Sequence, residues 1–123
     1  MTIEASKISE ECKINSIIAG SLRGYSIVKI SCNNLNAEVD IPDELLIFKE
    51  NENIKFLVVK DKPQYTNKDF CAHGYLFYER KDKDEYISLI SLYGLIVKIT
   101  TKEGLIASKK FNMMDHVYLC LKH

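Results

Sequence analysis

Hydrophobic and polar residues alternate along much of this 123-residue chain with a period of two rather than 3.6. The clearest example is residues 35–41, where Leu, Ala, Val and Ile alternate with Asn, Glu and Asp. The segment before it, Tyr25 to Cys32, is β-branched and aromatic, and Asn33-Asn34 joins the two segments. This pattern predicts two half-buried strands connected by a tight hairpin.

The same period continues on both sides of this hairpin. An earlier run, Glu11 to Ile18, places Ile14 and Ile18 on one face. Pro42 ends or turns the third strand, and residues 43–48 fit either a helical turn or a short strand. Further strands are predicted at Ile54 to Val59, Gly74 to Tyr78, Glu85 to Leu92, Leu95 to Ile99 and His116 to Leu121. Seven to eight short strands without a long helix indicate one all-β domain over residues 1–123, either a closed barrel or a sandwich.

Composition and charge narrow the class of protein. A hydrophobic fraction of 46% and a charged fraction of 28% exclude a disordered tail, a collagen-like repeat and a disulfide-dense mini-protein. Seventeen basic and 17 acidic residues give zero net charge, which argues against a free-standing nucleic-acid binder and favours a protein partner. Without a membrane-length apolar run or a signal peptide, we expect a cytoplasmic protein that does not contact membranes.

The sequence contains no recognisable catalytic motif. There is no G-x-S-x-G, no Walker loop and no G-x-G-x-x-G, and the three histidines are not near a nucleophile motif. We therefore expect no catalytic residue and no cofactor.

The four cysteines are far apart in the sequence and form no C-x-x-C pair. They are Cys12, Cys32, Cys71 and Cys120. We expect them to be reduced packing residues, although intracellular proteins of hyperthermophiles are a known exception to that rule. The alternative is a zinc site made by Cys71, His73, Cys120 and His123, but C-x-H is not a usual zinc spacing. The expected chain is thus free of both metal and disulfides.

One stretch combines aromatic and basic residues as single-strand-binding barrels do. It comprises Lys60, Lys62, Tyr65, Lys68, Phe70, Tyr75, Phe77 and Tyr78. Strand alternation would turn about half of these inward, because successive side chains face opposite sides of a sheet.

A second candidate surface surrounds Gly94. This glycine permits a bulge, a bend or a close backbone approach between two apolar runs. The segment from Tyr86 to Ile99 is apolar on both faces for much of its length, so it is either central in a barrel or covered by another chain. We expect part of a protein interface at Tyr93, Gly94, Leu95 and Ile96.

Two C-terminal motifs resemble a known family. Tyr93-Gly94-Leu95-Ile96-Val97-Lys98-Ile99 is similar to the Tyr-Gly-Gly-Leu-Leu-Met-Arg-Leu signature of the eighth-subunit family of eukaryotic and archaeal DNA-directed RNA polymerases, whose archaeal member is the G subunit. Val117 to Lys122 is similar to that family's closing Val-Tyr-Leu-Leu-Met-Lys strand, with Asp115 before it. This chain departs from the family pattern by lacking one of the paired glycines. It also lacks the long acidic loop of eukaryotic members, and its shorter loop is more similar to that of an archaeal member.

The resemblance implies a fold and a role. The fold is an eight-stranded antiparallel barrel related to the oligonucleotide/oligosaccharide-binding fold. The role is that of a small non-catalytic subunit that docks on the largest polymerase subunit, away from the catalytic magnesium. Its partners would be polymerase subunits, with nucleic acid contacted at most through the complex and no homo-oligomer. The alternative function is a free-standing single-strand-binding protein that uses Lys60, Lys62, Tyr65, Lys68, Phe70, Tyr75 and Tyr78.

Overall fold

The computed structural model describes residues 7–123. Its strands are β1 (Lys7–Ala19), β2 (Tyr25–Cys32), β3 (Leu35–Pro42), β4 (Asn53–Val59), β5 (Phe70–Asp82), β6 (Glu85–Leu92), β7 (Leu95–Thr101) and β8 (His116–Lys122). All neighbouring strands are antiparallel, and the sheet closes on itself in the order β1-β2-β3-β7-β6-β5-β8-β4. The predictions of an all-β fold and of an eight-stranded antiparallel barrel are both confirmed.

Alternate residues of the strands fill the barrel interior. In β3, Leu35, Ala37, Val39 and Ile41 are all buried, as the alternation predicts. An eight-stranded barrel is just wide enough for such side chains to fill it. Within the described residues the one helical segment is a 3-10 turn at Asp43–Leu45, so the ambiguous segment after Pro42 begins as a helical turn. Among residues 7–123, no helix is long and apolar enough to cross a membrane.

The inward face of β1 changes part-way along the strand. Between Ile14 and Ser16, β1 has one residue more than β2, which makes a β-bulge. Ile14 is fully buried, whereas Ile18 is 43% exposed and Ile17 packs against the core instead. The prediction that Ile14 and Ile18 share one face is therefore wrong, because one extra residue moves every later side chain to the opposite face.

The connection between β7 and β8 contributes to the core. Leu105 and Phe111 lie in this connection and are only 2% and 1% exposed. They belong to the same buried cluster as the inward residues of the strands. The connection therefore folds over the barrel as part of the packed interior, although it has no regular secondary structure.

A single carboxylate on β5 fixes this connection. Glu79 accepts backbone N–H groups from Leu105 (2.7 Å), Ile106 (2.9 Å) and Ala107 (2.8 Å), and the hydroxyl of Ser88 (2.6 Å). Burial of Glu79 raises its pKa, but the hydrogen bonds, led by that of Ile106, outweigh burial and hold the pKa below the ordinary value of 4.5.

All four cysteines are paired across neighbouring strands. A disulfide joins Cys12 on β1 to Cys32 on β2, and another joins Cys71 on β5 to Cys120 on β8. Each pair occupies directly opposite positions, with Cα–Cα distances of 4.3 and 4.1 Å. The prediction of a disulfide-free chain is wrong, because the strand register aligns cysteines that are 20 and 49 positions apart.

Candidate docking surface

The segment predicted for partner docking begins at the two-residue loop between β6 and β7. Tyr93 and Gly94 form this loop, with φ angles of 56° and 99°. Two positive φ angles are typical of a type I′ hairpin turn. A Cβ on Gly94 would meet no atom within 4 Å, so the backbone conformation, not a close approach, requires the glycine. Gly94 thus lies in the turn between β6 and β7, and not at a bend within a single strand.

The predicted docking residues point in different directions. Tyr93 is 77% exposed, a larger fraction than that of Leu22 or any other exposed large hydrophobic residue described. Ile96 is half-buried and its N–H donates to Asp40 Oδ2 at 3.2 Å. Leu95 packs against the core. Tyr93 and Gly94 are thus exposed and Ile96 faces outward, whereas Leu95 is half-buried against the core.

Tyr93 lies at the end of a cluster of five rings on the outer face of the barrel. We call this cluster the aromatic band: His73 and Tyr75 on β5, Tyr93, and His116 and Tyr118 on β8. His73 is its centre, with ring centroids 4.6 Å from Tyr118, 5.3 Å from His116, 6.1 Å from Tyr75 and 6.3 Å from Tyr93. Tyr75 and His116 meet edge to face at 4.4 Å, and the Tyr93 hydroxyl lies 3.5 Å from His73 Nδ1.

Strand register positions the aromatic band. His73 is opposite Tyr118 and Tyr75 is opposite His116, each pair alternating with buried positions such as Val117. The next outward pair along the same two strands is the Cys71–Cys120 disulfide. The band is thus built on two strands that are also covalently joined.

Three members of the band are predicted from the sequence for separate roles. Tyr75 is a candidate for nucleic-acid stacking, His73 for zinc and Tyr93 for docking, whereas His116 and Tyr118 are missed. Rings at alternate positions 73/75 and 116/118 are visible in the sequence, but their meeting depends on β5 pairing with β8.

The family of the G subunit of DNA-directed RNA polymerase matches residues 7–123 of this chain. The chain belongs to this family. Three curated relatives share the name "DNA-directed RNA polymerase subunit Rpo8". That of Sulfolobus acidocaldarius is 56% identical over 113 residues, covering 90% of this chain and 93% of the relative. Those of Saccharolobus solfataricus and Saccharolobus shibatae are each 44% identical, covering 96% and 99% of this chain and 94% and 98% of the relatives.

The resemblance of residues 93–99 and 117–122 therefore identifies the G-subunit family correctly, and the prediction that the chain is a subunit of a DNA-directed RNA polymerase is confirmed. The relatives are archaeal, as the short loop after Val59 suggests. A solved structure of the cytoplasmic molybdate-binding protein ModG aligns over 94% of this chain and 89% of its own, with a TM-score of 0.38 and 12% identity. That similarity is too low to indicate a shared fold or ligand.

In this member of the G-subunit family, the residues predicted for single-strand binding lie in separate places. Phe70 is 8% exposed and belongs to the core, so its ring is not available for stacking. The Lys60 ammonium lies 3.6 Å from the Asp115 carboxylate. Tyr75 and Tyr78 are both on β5, and the register shift between them turns both side chains to the outer face.

The other predicted single-strand-binding residues lie in the connection between β4 and β5. The Lys62 ammonium lies 5.9 Å from the ring centroid of Tyr65. The end of the chain holds this connection in place: the Lys122 ammonium donates to the Gln64 carbonyl, and a His123 ring nitrogen donates to the Lys68 carbonyl, each at 2.6 Å. The predicted set is thus divided among the core, the β4–β5 connection and the outer face of β5.

The residues considered for zinc have other partners. Cys71 and Cys120 are bonded to each other, and His73 lies in the aromatic band. His123 stacks on Phe48 with ring centroids 4.7 Å apart. Among residues 7–123 no group of three or more His, Cys, Asp or Glu side chains is placed to hold a metal ion.

Proposed function

We propose that the chain is a small non-catalytic accessory subunit of a multisubunit DNA-directed RNA polymerase and that it stabilises the assembly by docking on the largest subunit. The observation that carries the proposal is the family match over residues 7–123. It works in the cytoplasm as one barrel domain without forming homo-oligomers, and it contacts nucleic acid at most through the complex. Relatives that carry the name of a polymerase subunit over nearly their whole length support this role.

The geometry supports docking through the β6–β7 loop. Tyr93 extends from a two-residue turn, and Ile96 lies close to that turn on the outer face, opposite Ser91. Exposed tyrosine next to an apolar side chain is typical of the central part of protein interfaces.

Affinity purification through a tag on this chain tests the subunit role. We expect the two very large polymerase subunits to be recovered with it in stoichiometric amounts. Recovery of the chain alone, or with ribosomes, would refute the role. Salt-dependent, micromolar binding of the isolated chain to a single-stranded oligonucleotide would favour the free-standing alternative.

Photo-crosslinking identifies the docking partner. A benzophenone amino acid at Ile96 should crosslink to the largest subunit in the assembled polymerase. The matched control is the same probe at Ile18, which is 43% exposed on β1, and it should give no such adduct. Crosslinking from Ile96 only to a different subunit would contradict docking on the largest one.

A further inference from the structure

We propose that the aromatic band is the central contact through which the chain docks on another protein subunit of the polymerase. This inference rests on the proposed function and extends the interface from one loop to a surface that crosses the barrel. Its occupant is a largely uncharged protein surface that packs apolar and hydrogen-bonding groups against the rings.

The band is continuous with the predicted docking segment. Strand register and the contact of Tyr93 with His73 align the outward side chains in two parallel rows across the barrel. The first row is Val59, Tyr118, His73 and Tyr93, and the second is His116, Tyr75, Ser91 and Ile96. Tyr93 and Ile96 are therefore the ends of rows that extend over β6, β5 and β8.

The size of the band suits the centre of an interface. With strands about 4.8 Å apart, each row of four side chains crosses three strand spacings and spans about 14 Å. A stable interface buries about 800 Å² per partner, so the band would be its middle, surrounded by further contacts. Tyrosines at such central positions commonly dominate binding energy.

The charges around the band favour a protein partner over nucleic acid. Its neighbours in the strand register, Val59, Ser91, Ile96 and the Cys71–Cys120 disulfide, are uncharged. On the β7 side the Asp40 carboxylate accepts the N–H of Ile96, which places an acidic group beside the rows. The nearby Lys60 is paired with Asp115. A groove that follows a phosphate backbone needs basic side chains, whereas the core of a protein interface is rich in tyrosine and poor in charge.

Tyr93 gives independent support. Its φ of 56° is unfavourable for a bulky residue, and asparagine is preferred before glycine in this type of turn. The protein nevertheless places a 77% exposed aromatic ring there. A residue that is poorly suited to its turn and yet fully presented to the outside indicates selection for contact with a partner.

Because the turn prefers asparagine at position 93, a substitution there can test docking without destabilising the fold. Tyr93→Asn creates the preferred Asn-Gly turn, so its melting temperature should equal or exceed that of the wild type. Capture of polymerase subunits by this variant should nevertheless fall about tenfold or more, as for loss of a central interface tyrosine. Tyr75→Lys, which places a charge in the band, should weaken capture similarly. The matched control is Ile18→Lys on β1, which is 43% exposed and away from the band, and it should capture normally.

The outcomes distinguish this inference from the proposed function. If the wild-type chain captures no polymerase subunit, the proposed function itself fails. If the wild type captures the subunits and both Tyr93→Asn and Tyr75→Lys capture within twofold of Ile18→Lys, the band is not the docking surface. If the isolated wild type binds a single-stranded oligonucleotide and Tyr75→Lys abolishes that binding, the band is a nucleic-acid surface and the inference is overturned.

Thermal melting of each variant ensures that a capture defect is not an unfolding defect. Tyr93→Asn remains decisive if Tyr75→Lys does not fold.

Discussion

Glu79 holds the β7–β8 connection by accepting three backbone N–H groups and one hydroxyl with one carboxylate. Hydrogen bonds to a charged acceptor are stronger than neutral ones, and a buried donor left without a partner is costly. The connection contributes Leu105 and Phe111 to the core, so a local loss at Glu79 would loosen packing as well as hydrogen bonding.

Replacing Glu79 by glutamine should therefore destabilise the barrel. The amide removes the charge and one acceptor oxygen, and we expect a loss of about 1–3 kcal/mol in the free energy of unfolding at neutral pH. Chemical denaturation measures this loss. Glu103→Gln, an exposed position in the same connection, is the control and should change stability little. Equal stabilities for the two variants would contradict the role of Glu79.

The same carboxylate predicts a pH dependence. The pKa of Glu79 is lower in the folded chain than its ordinary value of 4.5. Its stabilising contribution is therefore complete above about 4.5 and is lost as the pH falls through the lower folded pKa. The difference in unfolding free energy between the wild type and Glu79→Gln should shrink in that acidic range and stay constant between about pH 6 and 8. A difference that does not depend on acid would show that Glu79 acts only by packing.

Two glycines are required for opposite reasons, and alanine substitution distinguishes them. A Cβ on Gly74 would collide with the Ser91 carbonyl on β6, whereas a Cβ on Gly94 would meet open space but adopt a left-handed conformation. We expect Gly74→Ala to cost about 2–3 kcal/mol, as overpacking does, and Gly94→Ala about 1–2 kcal/mol, the cost of the conformation. Urea unfolding of both variants measures these losses, and a neutral Gly74→Ala would mean that β5 and β6 can separate there without cost.

At the scale of the elements, disulfides join two neighbouring pairs of strands. Cys12–Cys32 faces the barrel interior between β1 and β2, and Cys71–Cys120 lies next to the aromatic band between β5 and β8. A link between residues that are distant in the sequence restricts the unfolded chain more than a link between near ones. The second disulfide also keeps the strands that carry the band in register.

The disulfides predict a graded loss of stability. By chain entropy, removing Cys12–Cys32 with paired alanines should cost about 3 kcal/mol and removing Cys71–Cys120 about 4 kcal/mol. Unfolding without reductant measures both losses, and the entropic part should disappear when wild type and variants are all compared in reductant. Thiol titration of the denatured, unreduced protein should find no free cysteine; a count of four would contradict both disulfides.

At the scale of the whole molecule, the proposed docking surface and the protein that carries it have little net charge. The 17 basic and 17 acidic residues of the chain cancel, and Val59, Ser91 and the Cys71–Cys120 disulfide beside the aromatic band are uncharged. If the band docks as we propose, long-range electrostatic steering should contribute little to assembly, and burial of aromatic and apolar surface should contribute most.

Assembly should accordingly resist salt. We expect capture of polymerase subunits by the tagged chain to change by less than about threefold when sodium chloride is raised from about 0.1 to 0.5 M. Binding through several phosphate contacts would fall by orders of magnitude over a similar range. A steep loss of capture would therefore contradict docking through the band.

The sequence by itself determined what is local to each strand. The limits of β2 and β6 follow from runs of β-branched and aromatic residues, and Asn33-Asn34 marks the hairpin between β2 and β3. The short motifs at 93–99 and 117–122 were enough to indicate the family. Such features depend only on residues that are neighbours in the sequence, so the alternation pattern and the turn preferences are enough to predict them.

Only the tertiary structure decided which distant residues meet. Four features depend on which strands are neighbours and in what register. They are the bulge between Ile14 and Ser16, the two disulfides, the hydrogen bonds of Glu79 to the β7–β8 connection, and the aromatic band. The pattern predicts β5 too short at both ends, as Gly74 to Tyr78. Its first residues, from Phe70, extend the strand by pairing with β8, and its charged end does so by pairing with β6. Register is set by closure of the whole barrel, since a shift by one residue would move every inward side chain outward, and no single segment contains that information.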